Sequence, residues 1–307
     1  MSARAPLPVT LVAGYLGAGK TTLVNHLLAK PEGRRLVVLV NDFGDIAIDA
    51  ELIAAASGDM LSLANGCACC AVGGDLFRAF TSVLDMDPAP DQVVIEASGV
   101  AEPARIADIA RAEPDLRLDG IVVLVDALNA PRQRDDALIG QTLVHQIAAA
   151  SLIVIAKADL VPAGSLAAMQ AWLGALNAGA PVLTAARGRL DADIVLGPRD
   201  LPAMAVEHRH AHDDAYERWS IRLDAASVSR GDLADLLAAV PPDIIRLKGI
   251  VRDGQGAWEF HVAGTHREVL ALTGRETGPP GLVAVAIAAK GKLDRARLDG
   301  LFAGLVV

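Results

Sequence analysis

Nine residues, GYLGAGKTT over Gly14–Thr22, constrain this chain more than any other stretch. They satisfy G-x-x-x-x-G-K-[ST] and lie between an apolar run, VTLVAG, and a helical pattern, TTLVNHLLAK. That strand, loop and helix setting is what a phosphate-binding loop requires. Gly14, Gly17 and Gly19 let the backbone wrap a phosphate with its N–H groups, with Ala18 among them, and the helix N-terminus adds further donors. Lys20 is expected to contact the β and γ phosphates, Thr21 to ligate Mg²⁺, and Thr22 to count among the nucleotide contacts. The competing reading is a glycine-rich turn with a surface lysine.

Such a loop implies a parallel sheet, and the rest of the sequence agrees. From Val9 to about Ala185, Val/Ile/Leu runs alternate with helical stretches: VTLVAG, RLVVLVN, GDMLSLAN, QVVIEASG, GIVVLVDA, LIVIAKAD and APVLTAA. Continuous β-branched runs read as strands buried on both faces, so residues 1–187 are expected to form an α/β P-loop NTPase domain with a mainly parallel sheet. Residues 188–214, rich in proline, charge and histidine, read as a linker. Residues 215–307 follow a different pattern, with YERWSIRL as a strand, SRGDLADLLAAV as a helix, DIIRLKGIVRDGQGAWEFHVAG as two strands joined by a turn, LVAVAIAA as a strand and LDRARLDGLFAGLV as a closing helix. This predicts a smaller α+β domain with antiparallel pairing.

Composition excludes several function classes. A net charge of -9 argues against a nucleic-acid partner, whose footprint is usually basic. No apolar run approaches the roughly 18 residues of a membrane helix, and the start, with one arginine and a short apolar stretch leading into the glycine motif, is not expected to be a signal peptide. A cytoplasmic protein whose thiols stay reduced is expected.

Two further segments bear on the nucleotide. The run VVIEASG ends in Glu96, an acid placed where it can hold a Mg²⁺ water; Lys20, Thr21 and Glu96 are the expected catalytic set. Asp126 ends the next run in the same way, as a second acid at the site or as a cap for the following helix. IAKADL is close to N-K-x-D, with Ala156 in place of Asn. A carboxylate at Asp159 is acceptor-only and suits the paired N1–H and N2–H donors of guanine, which favours GTP over ATP, with Lys157 laying its stem along the base. Losing the Asn amide removes about 0.5–1.5 kcal/mol, a severalfold fall in guanine affinity.

All three cysteines of the chain fall within four positions, in NGCACCAVGG. An odd, crowded set cannot serve as a disulfide framework. Cys67, Cys69 and Cys70 follow an apolar run whose loop should open on the phosphate side of the sheet. Thiolates select soft or borderline ions such as Zn²⁺, Co²⁺ or Cu⁺ over Mg²⁺, and with no second cysteine pair the site reads as open and completed by another residue. Buried small hydrophobes and a redox pair at the C-x-x-C spacing of Cys67 and Cys70 are the alternatives. His208, His210 and His212 recur at period two and either collect metal loosely or belong to a solvated linker. His26 and His145 lie in helical patterns and read as packing or surface residues.

The ordered set GYLGAGKTTLVNHLL, VNDFGDIAIDAELI, LANGCACCAVGGDL, VVIEASGVAEP, LIVIAKADL and IIRLKGIV resembles the CobW-like family of P-loop GTPases. The resemblance implies a GTPase that acts as a metallochaperone, binding Zn²⁺ or Co²⁺ in a nucleotide-dependent way. It would deliver the ion to a client metalloprotein or a cobalamin-pathway protein. It also implies that Asp42, a shorter acid in NDFG where the family has N-E-F-G, and Asp45 lie in a nucleotide-sensitive loop, with Asp42 a ligand beside the cysteines, and that residues 215–307 form the family's C-terminal domain. No residue for activating the attacking water stands out, so slow intrinsic turnover is expected. A metal sensor or store without turnover and a P-loop small-molecule kinase are the rival readings.

Overall fold

The computed structural model describes residues 5–40, 59–62, 72–136, 139–197, 216–223, 228, 230–253, 256–264, 266–271 and 281–305. The chain divides into two compact units, one over Pro6–Leu196 and one that takes in the C-terminal part from Gly197.

In the first unit the strands are β1 (Leu7–Gly14), β2 (Leu36–Val40), β3 (Asp59–Ser62), β4 (Gln92–Glu96), β5 (Leu116–Asp126), β6 (Leu152–Ala156) and β7 (Val182–Ala185). They form one sheet in the order β3-β2-β4-β1-β5-β6-β7, with every neighbouring pair parallel. Strands β2, β4 and β6 are buried along their whole length, as apolar runs without polar alternation demand, and β5 is buried as fully despite Arg117 and Asp119. Helices α1 (Lys20–Ala29), α2 (Val72–Leu84), α3 (Pro103–Ala112), α4 (Ala130–Arg134), α5 (Ile139–Ala149), α6 (Ala163–Leu176) and α7 (Ala192–Leu196) complete the unit. Leu11, Leu39, Ile95, Val123 and Ile153 are fully buried at the sheet's centre; each such side chain contributes about 1.5–3 kcal/mol of transfer free energy. Because the strands are parallel, the loops at their carboxyl ends open on one edge.

Two features depart from the sequence pattern. Strand β5 begins at Leu116, ahead of the apolar run GIVVLVDA, because Leu7, Pro8 and Val9 of β1 pair with Leu116, Arg117 and Leu118; Arg117 and Asp119 are buried in it, 3.4 Å apart. The residues from Gly188 to Leu196, read from the sequence as the start of the linker, pack within the first unit. All five α7 residues are buried, the Arg34 guanidinium bonds the Asp193 carboxylate, and Gln92 Nε2 donates to the Leu196 carbonyl at 3.1 Å.

The second unit holds β8 (Tyr216–Leu223), α8 (Arg230–Ala239), β9 (Ile244–Asp253), β10 (Gly256–Ala263), β11 (His266–Ala271), β12 (Gly281–Ala289) and α9 (Arg295–Ala303). Its sheet has the order β11-β10-β9-β12-β8 and is antiparallel throughout. One face packs Leu247, Val251, Phe260, Val262, Ala284 and Ala286 with Leu233 and Leu237 of α8 and Leu298 and Phe302 of α9. Gly249 is opposite Phe260, and a Cβ there would lie 2.1 Å from the ring's Cζ, so only glycine admits that ring. Strand β11 has no counterpart in the sequence reading: HREVLA is built from residues that equally suit a helix, and pairing with β10 decides its form. Among the described residues, no helix is long and apolar enough to cross a membrane.

Candidate functional site

The phosphate-loop motif occupies the turn between β1 and α1, at the carboxyl edge of the parallel sheet. Gly14, Gly17 and Gly19 have φ of 137°, 75° and 95°, in the left-handed region that side chains resist. Gly14 is further restricted: a Cβ would lie 2.3 Å from the Leu124 carbonyl oxygen of β5. Ala18 is buried and its N–H donates to the Tyr15 carbonyl at 3.1 Å, closing the loop. Lys20 opens α1, and its ammonium donates to the Gly14 carbonyl at 3.1 Å, so its charge lies directly over the loop's backbone.

The next residue joins the loop to a neighbouring strand. Thr21 Oγ1 donates to Glu96 Oε1 at 2.7 Å, and Glu96, the last residue of β4, is buried beside β1. Hydroxyl and carboxylate oxygens are hard donors of the kind Mg²⁺ takes, so this pair fits a Mg²⁺ ion. Thr22, the next residue of α1, is exposed and lies against Gly188: a Cβ on Gly188 would come within 2.8 Å of its Cγ2.

The loop after Glu96 is clamped from two sides. Gly99 lies so close to the phosphate loop that a Cβ would fall 2.5 Å from Leu16 Cδ2 and 2.7 Å from Leu16 N. From the other side Gln146, fully buried in α5, donates Nε2 to the carbonyls of Gly99 at 3.1 Å and Ala101 at 3.0 Å. Sequence reasoning missed both residues. The available signal was a glutamine in the apolar stripe Leu143, Gln146, Ile147 of a helix, where a buried amide must find backbone partners.

On the other side of β1, the ends of β5 and β6 carry a second pair. Lys157 follows β6 with φ of 59°, and its Nζ is 2.8 Å from Asp126 Oδ2. Asp126 also accepts from the Leu128 N–H at 2.9 Å and from Asn129 Nδ2 at 2.7 Å. Burial raises the Asp126 pKa, but the bonds from Lys157, Asn129 and Leu128 outweigh it and leave the carboxyl below its ordinary value. Asp126 thus does not cap the following helix, whose N-cap is Asn129; it closes a turn at Leu128, orients Asn129 and holds Lys157. Asp159 lies exposed in the short turn Ala158–Leu160 beyond it. The sequence-predicted residues Thr21 and Glu96 are therefore in contact, and Lys157 and Asp159 lie two residues apart in one turn. Cys67, Cys69, Cys70, Asp42, Asp45, His208, His210 and His212 lie outside the described residues.

The profile of the CobW/HypB/UreG nucleotide-binding domain matches residues 8–184. This chain belongs to that family. The CobW/HypB/UreG match runs from β1 into β7 and takes in Gly14–Thr22, Glu96, Asp126, Lys157 and Asp159. Among curated relatives, the protein named zinc chaperone CobW from Pseudomonas aeruginosa is 32% identical over 292 residues, covering 81% of this chain and 78% of its own. The protein of the same name from a Sinorhizobium species is 31% identical over 282 residues, covering 80% and 78%. Zinc chaperone YjiA of Escherichia coli K12 is 35% identical over 198 residues, covering 62% of this chain and 61% of its own.

Proposed function

We propose that this protein is a GTP-hydrolysing metallochaperone, which binds Zn²⁺ or Co²⁺ at its C-x-C-C motif in a nucleotide-dependent way and passes the ion to a client protein. The observation that carries the reading is the 2.7 Å Thr21–Glu96 bond, in a chain whose relatives at 31% and 32% identity are named zinc chaperones. The names favour zinc over cobalt.

In this reading the loop amides of Gly14–Gly19 cradle the phosphates and Lys20 moves from the Gly14 carbonyl to the β and γ oxygens, a charge-assisted contact stronger than the one it leaves. Thr21 would ligate Mg²⁺ and Glu96 would hold one of its waters, where the ion would neutralise phosphate charge. Asp159 would accept from the guanine N1–H and N2–H, and Lys157, with its ammonium fixed on Asp126, would lend its stem to the base. The clamp of Gln146 on Gly99 and Ala101 would keep the loop after Glu96 in register with the γ phosphate. Asp42 would join Cys67, Cys69 and Cys70 around the cargo ion when the nucleotide orders its loop, and hydrolysis would release it. Intrinsic turnover would be slow, with the client as the partner that triggers release.

Cobalt spectroscopy tests the assignment. Bound Co²⁺ should show a near-ultraviolet thiolate charge-transfer band in the native protein, and the Cys67→Ser/Cys69→Ser/Cys70→Ser variant should lose that band while retaining GTP affinity. A native protein without the band overturns the cysteine site.

A further inference from the structure

We infer that the β10–β11 hairpin of the second unit carries a transition-metal site of its own, built from His261, His266 and Glu268. The strand register brings these residues together. His261 is paired with Glu268 and Ala263 with His266, so the three side chains lie on one face of the hairpin, two of them directly opposite. Glu268 Oε2 is 3.7 Å from His261 Nε2 and 3.5 Å from His266 Nε2, and the imidazole centroids are 5.2 Å apart. One ligand atom from each residue lies within 4.8 Å of the others.

These spacings are close to those of a coordination shell. Ligand bonds of about 2.0–2.1 Å in tetrahedral geometry set neighbouring donors about 3.4 Å apart. The two carboxylate-to-imidazole edges need only a few tenths of an ångström of contraction, and the imidazole pair a rotamer adjustment. His266 Nε2 is buried and has no hydrogen-bond partner, which an ion would supply. Two imidazoles and one carboxylate suit Zn²⁺ or Co²⁺ rather than Mg²⁺, and three protein ligands leave a fourth position for water or an exchanging ligand.

The core beneath fixes the register. Phe260 and Val262, between and beside the ligand positions, point into the core, so a one-residue slip of the hairpin would expose both. Arg267, between His266 and Glu268, donates Nε to the Leu237 carbonyl of α8 at 2.8 Å and ties β11 to that helix. Lys248 is opposite His261 on β9, but its ammonium lies 3.5 Å from Glu259 Oε1, which offsets its charge. Among the described residues the other comparable cluster, Glu32, Asp191 and Asp193, already contains a cation: the Arg34 guanidinium bonds Asp193 and lies 3.7 Å from Glu32. The hairpin site stands apart from the reading of the phosphate loop and the cysteines. With no thiolate it would hold its ion more weakly than a cysteine site, as an exchangeable store.

The full-length Cys67→Ser/Cys69→Ser/Cys70→Ser variant, carrying His208→Ala, His210→Ala and His212→Ala as well, removes the thiolates and the linker histidines and isolates the hairpin. Titrated with Co²⁺ alone, it should bind one equivalent with visible d–d bands, no thiolate charge-transfer band, and full displacement by Zn²⁺. In that background His266→Ala should weaken Co²⁺ binding at least tenfold. Glu268→Gln, which keeps shape and packing, should do the same in a protein whose far-ultraviolet circular dichroism matches the parent. Absence of Co²⁺ binding by the cysteine-free chain overturns the site, as does parental affinity in the Glu268→Gln variant, which would assign the ion elsewhere.

Discussion

The two ends of the nucleotide edge are built by different means. At the β1/β4 end, geometry is set by the backbone: three glycines at positive φ, a carbonyl contact that forbids a Cβ, and one hydroxyl-to-carboxylate bond between Thr21 and Glu96. At the β5/β6 end it is set by side-chain charge, with a buried Asp126 carboxylate, 1% exposed, holding a Lys157 that is 34% exposed. Where guanine-reading loops carry an Asn, this chain has Ala156, and the Asp126–Lys157 pair anchors the turn that holds Asp159, alongside the 3.0 Å bond from the Leu160 N–H to the Lys157 carbonyl. A site made from backbone conformation should fail when a methyl group is added. A site made from charge should fail when a charge is removed or titrated.

The largest effect should come from a single methyl group. Gly14→Ala is expected to cost about 3 kcal/mol or more in urea unfolding, since the new Cβ strikes β5 and φ is unfavourable. Gly17→Ala, with nothing within 4 Å of its Cβ, should cost only about 1–2 kcal/mol. Equal midpoints for the two variants would break the backbone account of the phosphate end. Lys20→Ala should lower GTP affinity about 100-fold in a fluorescent-nucleotide titration, the loss of a charge-assisted phosphate contact.

The charge end calls for smaller, pH-dependent effects. Asp126→Asn keeps the contact with Leu128 but loses the charge that holds Lys157; about 1–2 kcal/mol of stability and roughly tenfold in GTP affinity should go with it. The folded pKa of Asp126 is depressed, so its contribution is present above the ordinary carboxylate value near 3.9 and is lost as pH falls through the lower folded value. The stability gap between native protein and Asp126→Asn should therefore be full near neutral pH and close below about pH 4. A gap that shows no narrowing as the pH falls below that value would mean that packing, not charge, holds the turn. The smallest effect sharpens the comparison from the other side: Ala156→Asn should tighten GTP severalfold, about 0.5–1.5 kcal/mol, by restoring one amide contact.

The same division explains what the sequence reveals. The phosphate loop is legible because glycine spacing, lysine and hydroxyl all belong to one local turn, and Glu96 follows from the rule that parallel strands end on a common edge. The Asp126–Lys157 pair is not legible, because it joins residues 31 positions apart whose identities, a strand-end acid and a lysine, are ordinary taken singly. Gln146 escaped for a related reason: a helix stripe is read for its apolar members, and the polar one is passed over. Strand β11 shows the limit of local propensity, since HREVLA becomes a strand only through its register with β10. The His261–His266–Glu268 cluster depends on that register and so was invisible with it.

The coupling between nucleotide and cargo metal is the most direct test of the proposed function. Co²⁺ would be titrated into reduced protein while following the thiolate charge-transfer band, which excludes the hairpin site, with Mg²⁺–GTP, Mg²⁺–GDP or no nucleotide, and Zn²⁺ then added in competition. GTP should tighten the thiolate site at least tenfold relative to GDP, about 1.4 kcal/mol of coupling, and bound metal should raise the preference for GTP over GDP by the same factor. One affinity shared by all three conditions would contradict a nucleotide-gated metallochaperone and leave a metal store that carries a nucleotide for other reasons.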